Sequence, residues 1–155
     1  MQYEILINEA DSQNIKVYEK PLLPRIKGLY GDSTIWLNQR LTSNKEKTCV
    51  LAEELGHYHT SSGNILEQKK VVSIKQEKRA RNWAYEKLIP LQSFVKASKG
   101  GARNRYELAE FLNVTEDFLD QAIEHYKEKY GLYVEWTSYL IYFDPLGVIE
   151  LFDDM

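Results

Sequence analysis

The stretch LAEELGHYHT, residues 51–60, puts two adjacent carboxylates, Glu53 and Glu54, ahead of His57 and His59. A helix turns about 100° per residue, so residues four apart share a face. Glu53 and His57 have that spacing and could grip one cation from one side. Glu54 stands three residues before His57 and borders the same face, where a general base acting on water would have to sit. His59 lies two past His57 and points roughly away. The bland alternatives are a solvated acidic face for Glu53 and packing or capping roles for His57 and His59.

Two ligands do not hold a metal, so a third must come from elsewhere. Ile74, Ala80, Ala84 and Leu88 form a helical apolar stripe with Trp83 beside it, and Glu77 falls on that stripe. A carboxylate on a core-facing stripe is costly unless it is neutral, paired or bound to metal. Glu77 is therefore the best third-ligand candidate, its alternative being a salt bridge to Arg81 four residues on. Cys49, one turn before Glu53, lies near the same face; a small core residue is the expected role, with a fourth ligand as the other possibility.

These groups need helices to hold them. Ser43 and Glu46 form a capping-box pattern, so a helix should start near Asn44, run through Val50, Leu51, Leu55 and Tyr58, and stop near Gly63. A loop follows, then a second helix from about Ser73 to Leu88, ended by Pro90. Upstream, residues 3–12 read as a short amphipathic helix, and Ile15 to Tyr18 as a strand start that Pro21 and Pro24 end. GLYGDSTIWLN, residues 28–38, reads as a β-hairpin turning at Gly31-Asp32, with Ile35 and Leu37 on one side.

Downstream, Leu91 to Ala97 add a short helix before the SKGGA loop. Residues 105–131 make two helices, broken at Asn113-Val114, with Thr115 capping the second. In the tail, Tyr139, Ile141 and Phe143 alternate with Leu140 and Tyr142. Asp144-Pro145-Leu146-Gly147 has a type I turn pattern, and Val148 to Phe152 return. The order is a β-rich start, a helical middle and a β end: an α+β chain.

At 155 residues, 43% hydrophobic and 28% charged, this is the size of one ordinary domain with a real core. A formal charge of −3 gives no global field toward nucleic acid or anionic membrane. The single cysteine suits a reducing cytosol, and MQYEILINEA lacks the basic start of a secretion signal, so a cytoplasmic protein is expected. No apolar run approaches the roughly 20 residues of a membrane span. YELAEFLNVTEDFL fits a helix-turn-helix pattern, but Glu116, Asp117, Asp120 and Glu124 on its second helix would repel phosphates. Direct nucleic-acid binding is therefore the least favoured function. That acidic helix could instead meet a basic protein surface.

With these residues in view, TCVLAEELGHYHT resembles the xFTLAHELGH helix of the ImmA/IrrE family of metallo-endopeptidases. QEKRARNWAYEKLIP resembles that family's second signature, roughly ExEAxxFAxxLLMP, down to Pro90, and GLYGDSTIWLN resembles its preceding hairpin. The resemblance spans roughly residues 15–95. It implies a single zincin-like α+β domain over 1–155: a small sheet packed on a helical metal-site core (15–95), a helical pair (103–131) and a C-terminal β-hairpin tail (132–155). It implies Glu54 as general base, His57 as a histidine ligand and Glu77 as the third ligand. Glu53 departs from the pattern by occupying the first histidine's slot, and Arg79 departs where Glu or Gln is frequent.

Carboxylate is a legitimate zinc ligand, so Glu53, His57 and Glu77 remain a possible set. They bring two negative charges where the usual set brings one, which lowers the metal's Lewis acidity. Two hard oxygens also shift preference somewhat toward Mn2+ or Fe2+. Family members encoded by phages and mobile elements often sit beside a repressor. The implied function is thus a zinc-dependent endopeptidase that cleaves or inactivates a helix-turn-helix repressor of a phage or prophage. The alternative is a non-catalytic antirepressor of the same fold. Tyr58 or His59 is the candidate to steady an oxyanion.

Overall fold

A computed structural model describes residues 2–60 and 74–151. The expected helix end near Gly63, the loop after it, the Ser73 start and Phe152 lie outside the described residues. The architecture is α+β, as expected of a small zincin-like domain. The chain divides into two compact units, Met1–Ala84 and Tyr85–Met155.

The first unit opens with helix α1 (Gln2–Ser12), then strands β1 (Lys16–Lys20), β2 (Gly28–Gly31) and β3 (Thr34–Asn38). β3 is the central strand, parallel to β1 and antiparallel to β2. Its alternation puts Ile35 and Leu37 fully inside, as the sequence predicts. The hairpin turn sits one residue later than expected. Gly31 pairs with Thr34, so Asp32-Ser33 form the two-residue loop, both with positive φ (50° and 56°). Two left-handed residues match the twist of the flanking strands.

Asn38, buried at the end of β3, pins the preceding loop. Its amide donates to the carbonyls of Leu22, Leu23 and Ile26, and its Oδ1 accepts from the Arg40 N–H. The buried amide is thus satisfied by the loop it orders.

Helix α2 (Asn44–Thr60) starts where the capping pattern puts it, with the Glu46 N–H donating to Ser43 Oγ at 3.1 Å. Thr48, Cys49, Val50, Leu51, Ala52, Leu55 and Gly56 are all buried, so α2 is enclosed on more than one face. Cys49 is a buried core residue, the role expected of it. Helix α3 (Ile74–Leu88) buries Ala80, Ala84 and Leu88, but Ile74 is 88% exposed, contrary to the predicted stripe. Ile74 is the first residue of α3, and the helix becomes core-facing only from Ala80 onward.

The second unit holds α4 (Leu91–Lys99), α5 (Arg105–Leu112), α6 (Glu116–Tyr130) and strands β4 (Tyr133–Trp136), β5 (Tyr139–Phe143) and β6 (Leu146–Glu150). Asn104 caps α5 and Thr115 caps α6, each accepting a backbone N–H three residues on. Asn113 ends α5 in the left-handed conformation, which is the predicted break. The strands form an antiparallel meander, β4-β5-β6. The expected hairpin is therefore present but extended by β4. Its turn also differs: Phe143 pairs with Leu146, so Asp144-Pro145 form the loop, and β6 starts at Leu146 instead of Val148. Tyr126 of α6 stacks on Phe143 of β5 and donates its hydroxyl to the Ile89 carbonyl at 2.8 Å.

Candidate metal centre

Two glycines set the geometry around α2. A Cβ at Gly56 would overlap the Ala80 carbonyl and come 3.0 Å from Ala80 Cα. Only hydrogen fits there, so α2 and α3 cross backbone against backbone. A Cβ at Gly28 would come 2.8 Å from Val50 Cγ1 and 3.1 Å from Glu54 Cγ and Oε2. Strand β2 is therefore pressed onto α2 at Glu54.

The close crossing brings His57, next to Gly56, against Glu77, one turn before Ala80. His57 Nε2 lies 3.1 Å from Glu77 Oε1. The other carboxylate oxygen, Glu77 Oε2, lies 3.8 Å from Arg81 Nε. Glu77 thus faces His57 across the crossing and also makes the pair with Arg81 along its own helix that was the alternative to a ligand role. Its side chain is 39% exposed, so it sits at the border of the core and not within it.

Glu53 and Glu54 lie partly buried on the same helix. Burial raises the Glu53 pKa; Arg81 opposes the rise, Glu77 adds to it, and Lys27 opposes it. Burial pushes Glu54 up to about 8, with the charges of Glu53 and Glu77 adding to the rise. Three carboxylates thus repel one another in a poorly solvated place.

That arrangement bears on whether a metal fits. Zinc–ligand bonds of about 2.0–2.1 Å at tetrahedral angles put neighbouring donor atoms roughly 3.3 Å apart. The 3.1 Å between His57 and Glu77 is close to that spacing. The donor chemistry, one imidazole amid three carboxylates, is electrostatically short of a cation. Among the described residues, however, no group of three His, Cys, Asp or Glu side chains converges on a single point suited to an ion. The structure brings His57 and Glu77 together and places Glu53 and Glu54 within their electrostatic reach.

A row of rings borders the site and was not expected from the sequence. Tyr30 meets Tyr58 edge-on at 6.2 Å, Tyr58 meets His59 at 5.0 Å, and His59 stacks on Trp83 at 4.5 Å and 14°. His59 thus faces the Trp83 ring of α3. The Gly56–Ala80 crossing explains the stack, since both rings lie three residues beyond it. A glycine facing an alanine is too common in sequences to signal such a crossing.

No protein of curated function matches the chain. The family model Peptidase_M78, described as the IrrE N-terminal-like domain, matches residues 3–124, which take in α1 to α5, both signature helices and most of α6. With that match over most of its length, the chain belongs to the Peptidase_M78 (IrrE N-terminal-like) family.

Proposed function

We propose that this chain is a zinc-dependent endopeptidase acting in the cytosol on a helix-turn-helix repressor of a phage or integrated mobile element. Glu53, His57 and Glu77 would hold the ion; Mn2+ or Fe2+ is the alternative occupant. The observation that carries this reading is the 3.1 Å approach of His57 and Glu77 across two helices that glycine lets touch. When bound, the ion would supply Lewis acidity toward water and the scissile carbonyl.

The chain's own residues supply the rest. Glu54, held against β2 at Gly28, is one turn from His57. Its carboxyl, pushed up to about 8 by burial and by Glu53 and Glu77, would ionise once a cation offsets those charges. It would then take the proton of the attacking water and return it to the leaving amine. Arg81 holds the far oxygen of Glu77 and so fixes which oxygen faces His57. The Trp83–His59 stack and the Gly56 crossing keep α2 and α3 in register.

If a reading frame beside its gene encodes a helix-turn-helix repressor, purified protein incubated with that repressor should cleave it. Glu54→Gln should retain its metal and cut the rate by about 10²–10⁴-fold. A second reading, a non-catalytic antirepressor, is favoured by one feature: Glu77 already pairs with Arg81 while Glu53 replaces a histidine. If Glu54→Gln still relieves repression in cells, the second reading replaces the first.

A further inference from the structure

The second unit contains a cavity of about 320 Å³, at the small end of the roughly 300–1,000 Å³ usual for ligand pockets. Its floor is apolar: Phe94 of α4, Leu108 of α5, and Leu146 and Val148 of β6. Its rim is polar, with Ser98, Arg103, Asn104 and Arg105. Among the described residues, no carboxylate lines it. None of them lies on α2 or α3, and β6 lies beyond the region matched by the family.

The two arginines differ. Arg105 is committed, 2.9 Å from Asp120 Oδ1. The Arg103 backbone N–H donates to Glu107 Oε1 at 2.8 Å, but its guanidinium has no ion-pair partner among the described residues. One uncommitted planar cation at the mouth of an apolar cavity matches a planar anion on an apolar body. Glu107 and Asp120 stand just outside the rim, so a dianion would meet added repulsion. A monoanion suits the site better.

We propose that the cavity between α4, α5 and β6 binds a small apolar monocarboxylate, its aryl or alkyl body on Phe94, Leu108, Leu146 and Val148 and its carboxylate on Arg103. Asn104 is the less available polar group, because its side-chain oxygen already caps α5. The site is independent of the metal-centre reading and stands or falls alone.

The test is calorimetric titration of the full chain with 4-phenylbutyrate, followed by amide chemical shifts. Saturable 1:1 binding is expected, with shifts centred on Ser98, Ala102, Arg103, Gly147 and Val148. Arg103→Gln, an exposed substitution that keeps the side-chain stem, should weaken binding about tenfold. The neutral alcohol 4-phenylbutanol should bind wild type no better than the acid binds that variant. Val148→Trp, which fills the cavity, should abolish binding while leaving the amide spectrum folded. The proposal is overturned by no saturation at millimolar acid or by shifts centred elsewhere. It is equally overturned by an unaffected Arg103→Gln, by equal binding of the alcohol, or by tighter binding of phenyl phosphate.

Discussion

Glu53 stands in the slot where the ImmA/IrrE helix that LAEELGHYHT resembles has a histidine. A carboxylate there adds a negative charge beside Glu54 and Glu77, and burial raises the pKa of both Glu53 and Glu54. If these residues hold zinc, the extra charge weakens its Lewis acidity. Glu53→His should therefore keep the metal and raise the rate of repressor cleavage; a slower variant would contradict that account. The candidate set of Glu53, Glu54, His57 and Glu77 was legible because three of the four fall within five residues at helical spacing. The Tyr30–Tyr58–His59–Trp83 row was not, since aromatic residues carry no periodic signature of mutual contact. Ile74 misled because a stripe drawn from periodicity has no marker for where the core begins.

At the scale of elements, the α2–α3 crossing is the device that makes a site conceivable. Gly→Ala in an exposed helix ordinarily stabilises by about 1 kcal/mol. At Gly56 the sign should reverse, because the methyl group meets the Ala80 backbone. Gly56→Ala is expected to cost about 1–3 kcal/mol in urea unfolding and to separate His57 from Glu77. Stabilisation by this substitution would show that the helices do not touch.

A second element-level contact joins the end of α3 to α6. Glu86 Oε2 lies 2.7 Å from His125 Nε2 and 3.0 Å from Lys129 Nζ. Burial alone would raise the Glu86 pKa, but the hydrogen bonds to His125 and Lys129 outweigh it and hold the carboxyl below its ordinary value. In the unfolded chain it returns to about 4.3. The stabilisation is therefore complete above that pH and lost as pH falls through the lower folded value. With Glu86 41% exposed, its size is about 1 kcal/mol or less. His125→Gln should flatten the acid limb of the unfolding free energy. An unchanged limb would assign no role to this contact.

Helix positions were legible because Ser43, Asn113 and Thr115 are strong local signals. Both hairpin turns lay one residue from the expected place. Gly31 and Gly147 look like turn residues, yet strand pairing runs through them and sets the register. Strand β4 escaped because it is only four residues long: Val134 and Trp136 share its half-buried face while Tyr133 and Glu135 are exposed, too short an alternation to stand out.

For the whole molecule, composition bounded the answer more firmly than it named a function. A net charge of −3 gives the chain no global field toward phosphate backbones. No helix among the described residues is long and apolar enough to cross a membrane. The order of elements identified the α+β class, while the parallel pairing of β1 with β3 was invisible because it depends on a long-range contact. The proposed peptidase activity rests on one premise, a cation clamped between α2 and α3. Elemental analysis of protein purified without chelator tests it most directly. The account predicts about one zinc per chain, lost on Glu77→Ala with the fold intact. Metal-free wild type, or metal retained by Glu77→Ala, would contradict it.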